Sequence, residues 1–311
     1  MQKSWQSLRI VFMGTPEFAV ASLRKLVDHG ADIVGVITAP DKPAGRGMQL
    51  QQSAVKQYAL SKSLKILQPE KLKNETFLED LKQLNADLQI VVAFRMLPEV
   101  VWNMPPLGTI NVHGSLLPDY RGAAPINWAV INGETETGVT TFKLQHQIDT
   151  GNILMQAKIS IGENENAGSV HDRMMELGAE VLLKTVDGLA KGSITETPQA
   201  APGNIKHAPK IFTETCRVNW NKGVDEIHNL VRGLSPYPAA FTMLHQKKLK
   251  IFSGRKTTSS KPQPGTVETD GKTFLKFHAA DGCYDLEEIQ LEGKKKMTIH
   301  EFLRGYRFPS Q

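Results

Sequence analysis

Cysteine is nearly absent from this chain, with only Cys216 and Cys283 in 311 residues. The two match no metal-ligand or dithiol spacing, which argues against zinc and redox chemistry. So few thiols in a chain of this size suit a reducing cytoplasm. Long apolar runs are missing too. The longest, such as Ile90 to Phe94, are far too short to span a bilayer. Met1 to Ser7 is polar and lacks the apolar segment of a secretory signal. There is no G-x-G-x-x-G and no Walker loop, so a dinucleotide or nucleoside-triphosphate site is unsupported. No serine or cysteine elbow suggests covalent hydrolysis. A cytoplasmic protein without a membrane span or bound metal is expected.

The remaining composition is that of a globular protein, 40% hydrophobic and 22% charged. The length allows one large core or two ordinary domains. Charge is uneven. Residues 1–205 carry 19 Lys and Arg against 21 Asp and Glu, a net of −2, while residues 206–311 carry 18 against 11, a net of +7. A basic final third suggests a polyanionic partner, most commonly nucleic acid. Charge alone is equally compatible with ordinary solubility.

Along the chain, short apolar runs alternate with helical patterns. Strands are expected at 8–13, 33–38, 64–67, 87–94, 138–144 and 153–161, and another within the stretch 109–118, where it runs into a loop. Helices are expected at 18–29, 53–62, 74–84, 123–131 and 169–189. This alternation implies an open, largely parallel α/β sheet. In the first strand–helix turn, Thr15 suits an N-cap and Pro16 the first helical position. The stretch Ala39 to Met48 shows no period and reads as a loop, with Lys42 and a Gly45-Arg46-Gly47 tip that presents an unencumbered guanidinium. Periodicity is lost over 191–210, where Gly, Pro, Ser, Thr and Ala dominate, and this reads as a linker. Beyond it lie one helix at 224–232 and five short strands, with hairpin signals at Asp270-Gly271 and Asp281-Gly282. Those strands suffice for a small, OB-like β-barrel.

Three polar residues stand out against this background. Asn111 and His113, two apart on a strand, point to one face. The strand's carboxyl end is where α/β sheets usually bind ligands. Asp149 lies 36 residues beyond His113 and tops a further strand, so in a parallel sheet the three groups would meet at one edge. Taken singly, each has a plainer explanation: a strand-end amide bonding backbone, a satisfied half-buried histidine, a turn aspartate. Together they suit direct group transfer, in which an amide and an imidazole polarise a carbonyl and a carboxylate manages protons.

The run Ile110-Asn111-Val112-His113-Gly114-Ser115-Leu116-Leu117-Pro118, then Arg121-Gly122-Ala123-Ala124-Pro125, resembles the signature of folate-dependent formyltransferases. Asp149-Thr150-Gly151 matches their second signature. Phe12 to Phe18, Pro40 to Gly47 and His207 to Ile211 are similar to the methionyl-tRNA formyltransferases in particular. The likeness covers nearly the whole chain. It implies a Rossmann-like, parallel-rich catalytic domain at 1–190, a linker at 191–210, and a C-terminal β-barrel at 211–311 that binds tRNA. It also implies formyl transfer from 10-formyltetrahydrofolate to the α-amine of methionine on initiator tRNA, by a monomer. Asn111, His113 and Asp149 would be the catalytic trio. Folate contacts would come from Ser115, Leu116, Leu117, Pro118, Phe94, Arg95 and Met96, and tRNA contacts from Arg46 and Lys42. The chain departs from the family where Ala93-Phe94-Arg95-Met96 stands in place of an Ala-Tyr-Gly pattern. Ile148 replaces a usual leucine and Asn152 a common aspartate. A glycinamide-ribonucleotide transformylase would share the trio but not the basic tail. A sugar-amine formyltransferase is the closer rival, and the Gly45-Arg46-Gly47 loop favours tRNA over it.

Overall fold

Leu88–Val92 is buried at every position. A strand achieves that only inside a sheet covered on both faces. The computed structural model describes residues 4–44, 49–199, 203–258 and 263–308. It divides into two compact units that are discontinuous in sequence. One comprises Met1–Gly122, Gly138–Ile159 and His171–Lys206, and the other Ala123–Thr137, Ser160–Val170 and His207–Gln311.

In chain order the first elements are β1 (Arg9–Gly14), α1 (Glu17–Asp28), β2 (Asp32–Ile37), β3 (Lys42–Ala44), β4 (Gln49–Gln51), α2 (Ala54–Ser61), β5 (Ile66–Leu67) and α3 (Glu75–Gln83). Then come β6 (Leu88–Val92), α4 (Glu99–Trp102), β7 (Thr109–His113), β8 (Arg121–Gly122), α5 (Pro125–Ile131), β9 (Glu136–Lys143), β10 (Ile153–Ser160) and α6 (Ala167–Lys191). The large sheet of the first unit runs β10-β9-β7-β6-β1-β2-β5. β1 lies parallel to β2 and β6, β2 to β5, and β6 to β7. This is the parallel-rich sheet expected. Strand order reverses between β1 and β6, the topological switch point where such sheets open a crevice. Gly14 ends β1 there. A Cβ on it would sit 2.6 Å from the Ala19 Cβ and 3.0 Å from the Val92 carbonyl, so only glycine lets the elements approach this closely.

Four expectations need correction. β9 is antiparallel to β7, pairing Lys143 with Ile110 and Thr140 with His113. The end of β9 therefore lies at the opposite edge from His113, and Asp149 does not top a parallel neighbour. After Pro40, Lys42–Ala44 pairs antiparallel with Gln49–Gln51, with Lys42 opposite Gln51 and Pro43 opposite Leu50; three-residue strands are too short to show a period. Thr15 is not a cap, because Pro16 takes the N-cap position and Glu17 begins the helix. The stretch that composition marks as a linker is tied into the first unit up to Gln199. Thr197 exchanges both backbone hydrogen bonds with Ile153, and Glu196 bonds Lys143 and Asn152. An edge pairing uses backbone groups, so Gly- and Ser-rich composition does not forbid it.

The second unit continues with β11 (His207–Ala208), α7 (Val224–Leu234), β12 (Ala240–Leu244), β13 (Lys247–Thr257), β14 (Val267–Thr269), β15 (Leu275–His278), β16 (Cys283–Leu291), β17 (Met297–Thr298) and α8 (Ile299–Gly305). The expected small barrel is present as a curled antiparallel half-barrel, ordered β12-β13-β16-β15-β14 with β17 on β16. α7 packs on β13 and β16, burying Ile227, Val231 and Leu234 with Leu249, Ile251 and Ile289. Trp220 stacks on Phe277 at 4.7 Å and donates to the Thr242 hydroxyl. β17 and α8 lack a legible pattern, yet α8 opens on a full capping box between Thr298 and Glu301. Among the described residues no helix is long and apolar enough to cross a membrane.

Candidate active site

β7 places Asn111 and His113 on one face. Phe142 of β9 lies opposite Asn111, and its ring meets the His113 imidazole edge-on at 6.4 Å between centroids. Phe142 is fully buried and His113 is 7% exposed. The His113 Nε2 lies 2.9 Å from the Tyr120 carbonyl. A carbonyl only accepts, so Nε2 carries the hydrogen and Nδ1 is left to work. That Nδ1 faces the Asp149 Oδ2 at 3.9 Å, beyond hydrogen-bond range. An oxygen about 2.8 Å from both atoms would subtend roughly a right angle, so one ligand or water atom fits against both. Asn111 is half-buried, and its side chain has no hydrogen-bond partner among the described residues.

Asp149 reaches His113 because the loop between β9 and β10 doubles back. The sequence Asp-Thr-Gly has a reason at each place. Asp149 adopts φ +53°, in the left-handed region. Thr150 Oγ1 donates to the Gln147 carbonyl, and Gln145 Nε2 donates to the Thr150 carbonyl. A Cβ on Gly151 would lie 1.6 Å from the Lys143 carbonyl oxygen, so no other residue fits without moving backbone. The Asp149 Oδ2 accepts the Gly122 N–H at 2.9 Å. Gln199 donates to the carbonyls of Asp149 and Gly151. Sequence reasoning missed Gly122, Gln199 and Asn152, whose amide donates to Glu196. Gly122 stands in the first signature and Asn152 beside the second, but no local pattern gives any of the three its role, because their partners lie tens of residues away.

The other candidates fall in two places. The loop Ser115–Pro118 follows β7 and is braced from within. Ser115 is fully buried and its hydroxyl donates to the Asp119 carbonyl. The Leu117 N–H donates to Thr140 Oγ1, and Gln156 donates to the Leu117 carbonyl. Leu116 and Pro118 are half-buried. Phe94, Arg95 and Met96 follow β6, after Ala93 at φ +46°. Arg95 donates to the carbonyls of Pro69 and Glu70, its guanidinium lies 5.6 Å from the Phe94 ring centre, and burial lowers its pKa below the usual arginine value. Met96 is 73% exposed.

Two cavities flank this segment. The larger, about 940 Å³, is lined by Leu72, Met96, Leu97, Val100 and Met104, with Lys73 and Arg95 among them. The smaller, about 490 Å³, is lined by Thr15, Ala39, Asp41, Lys42, Phe94 and Arg95 and lies at the switch point. Asn111, His113 and Asp149 are not among the residues that line these two cavities. Arg46 lies outside the described residues. In the second unit, Glu268, His278 and Cys283 bring ligand atoms within 4.8 Å of one another. His278 turns Nδ1 to Cys283 and Nε2 to Glu268.

Two family models match successive parts of the chain. The family model described as formyl transferase matches residues 8–186, and that described as formyl transferase, C-terminal domain, matches residues 210–307. A methionyl-tRNA formyltransferase of Bacteroides thetaiotaomicron is 54% identical over 311 residues, covering 97% of each chain. One of Parabacteroides distasonis is 55% identical over 313 residues, again with 97% of each chain covered. Among solved structures, a sugar 3N-formyl transferase, WlaRD, superposes with a TM-score of 0.68 at 21% identity, covering 93% of this chain and 99% of that one, a likeness of fold. The chain belongs to the formyl transferase family, and within it to the methionyl-tRNA formyltransferases.

Proposed function

We propose that the chain transfers the formyl group of 10-formyltetrahydrofolate to the α-amine of methionine on initiator methionyl-tRNA, with Asn111, His113 and Asp149 as its catalytic residues. The observation that carries this reading is full-length identity above one half to methionyl-tRNA formyltransferases. The geometry accords with it. Asn111 has an open amide, and His113 has Nδ1 turned towards Asp149. When the amine attacks, a new C–N bond forms and negative charge gathers on the formyl oxygen; as that charge returns, the bond from the formyl carbon to N10 of the folate breaks and N10 takes up a proton, leaving as tetrahydrofolate. Asn111 donates to that oxygen from its amide, and His113 donates from Nδ1 in its charged form. Asp149 holds His113 and, through a water, takes the proton the amine gives up. General acid–base help of this kind is worth about 10²- to 10⁴-fold.

The folate would be taken up by Phe94, Arg95 and Met96 together with the Ser115–Pro118 loop. The larger cavity, whose lining mixes apolar side chains with Lys73, Arg95, Glu99 and Asn103, would take a flat ring joined to an acidic tail, with Lys73 and Arg95 facing the acid. Lys42, exposed and lining the smaller cavity, and Arg46 would meet the tRNA, and the basic residues of 211–311 would hold its phosphates. One copy suffices, since the trio comes from a single stretch of 109–151, and the two free, buried cysteines suit the cytoplasm. The test is a formylation assay with 10-formyltetrahydrofolate and three acceptors: methionyl initiator tRNA, methionyl elongator tRNA and an amino-sugar nucleotide. Initiator tRNA should be formylated fastest. Preference for the amino sugar would sink the reading.

A further inference from the structure

Asp149 holds a left-handed backbone at φ +53°, a conformation that side chains other than glycine adopt reluctantly. Two hydrogen bonds from one distant residue clamp it there. Gln199 Nε2 donates to the Asp149 carbonyl at 2.8 Å and to the Gly151 carbonyl at 2.9 Å. The amide cannot be reversed. Arg121 aims Nε and Nη2 at the Gln199 Oε1, at 3.1 and 2.5 Å, and a guanidinium only donates. The next residue, Gly122, gives its N–H to the Asp149 carboxylate at 2.9 Å. The dipeptide Arg121-Gly122 thus grips both ends of Asp149, the carboxylate directly and the main chain through Gln199.

We propose that Gln199, oriented by Arg121, is a positioning residue for formyl transfer, setting the approach of the Asp149 carboxylate to His113 by fixing the backbone from which that carboxylate projects. This rests on the reading of Asp149 as catalytic. Apart from its tie to Arg121, Gln199 bonds the carbonyls of the Asp149 loop, so its effect belongs in turnover and not in substrate affinity. The clamp also gives the stretch before residue 200 a task that its composition conceals.

The informative substitution is Gln199→Glu. It keeps the length and the acceptor for Arg121, and it removes both donors. Gln199→Leu, which also breaks the tie to Arg121, serves as the second variant. Kinetics are measured for both substrates, beside the melting temperature and the nitrogen NMR resonance of His113 Nδ1, with Asp149→Asn assayed in parallel. In both Gln199 variants kcat should fall by about ten- to hundredfold, as expected for misplacement on the ångström scale. The two KM values should stay within about threefold. The melting temperature should hold, and the His113 resonance should move. Wild-type kcat in both variants, with Asp149→Asn inactive, would overturn the positioning role and leave the catalytic trio standing. So would a rise in both KM values together with a fall in kcat and melting temperature, the His113 resonance being unmoved. Wild-type turnover in Asp149→Asn would instead remove the reading on which the proposal rests.

Discussion

Two histidines are buried to nearly the same depth, His113 at 7% and His228 at 6% exposure, and only one has the makings of a catalyst. His228 stands on α7 with both ring nitrogens engaged, Nδ1 at 3.3 Å from the Tyr284 hydroxyl and Nε2 at 3.4 Å from the Glu163 carbonyl. Its neighbour Arg232 is equally enclosed and donates to the carbonyls of Gly162 and Glu165 and to the Asn229 amide oxygen. That is a satisfied polar core. His113 spends one nitrogen on a carbonyl and keeps the other facing a carboxylate just beyond bonding distance, on the strand face that carries Asn111, whose amide has no partner among the described residues. Burial therefore does not separate site from scaffold. The unfilled hydrogen-bonding capacity does.

The comparison breaks most readily by removing each ring in turn. His113→Ala should lower kcat by about 10²- to 10⁴-fold, with a normal melting temperature. His228→Leu leaves the buried Tyr284 hydroxyl without its partner, and should lower stability by about 1–3 kcal/mol while turnover per folded molecule is unchanged. Steady-state kinetics and denaturant titration on both variants decide the matter. Near-wild-type turnover in His113→Ala, or a selective loss of turnover in His228→Leu, would invert the assignment.

A smaller effect is expected at Gly151. A methyl group there meets the Lys143 carbonyl oxygen at 1.6 Å, so the β9–β10 loop must shift and carry Asp149 with it. Gly151→Ala should cost about 1–3 kcal/mol through overpacking and depress kcat more than either KM. Unchanged kcat would mean that the loop can move without displacing the carboxylate from His113.

These contrasts also show what a sequence reveals. β6 was legible because an all-apolar run of strand length has one good home, the middle of a covered sheet. Asn111 and His113 were legible because strand alternation is strict. The route of Asp149 to His113 was not, since local sequence carries no mark of whether β9 runs parallel or antiparallel to β7. Gln199 was hidden by its surroundings, because the residues around it read as a linker and its partners at 121, 149 and 151 come together only in the fold. His228 and Arg232 were concealed on a helix whose pattern assigns polar residues to solvent.

The smallest effect concerns pH and bears on His228 alone. Burial holds its imidazole below the ordinary value of 6.5. In the window between that lowered value and 6.5, the unfolded chain binds the proton more readily than the folded one. Stability from the neutral ring is therefore complete above 6.5 and is lost as pH falls through the window. One group can contribute a slope of at most about 1.4 kcal/mol per pH unit. Urea midpoints of wild type and His228→Gln, followed from neutrality into mild acid, isolate it: wild type should lose stability faster, and the difference between the two should level off once the folded ring is protonated. Parallel pH curves would mean that the His228 ring titrates alike in the folded and unfolded chain, and that its burial among Tyr284 and the Glu163 carbonyl does not hold it neutral.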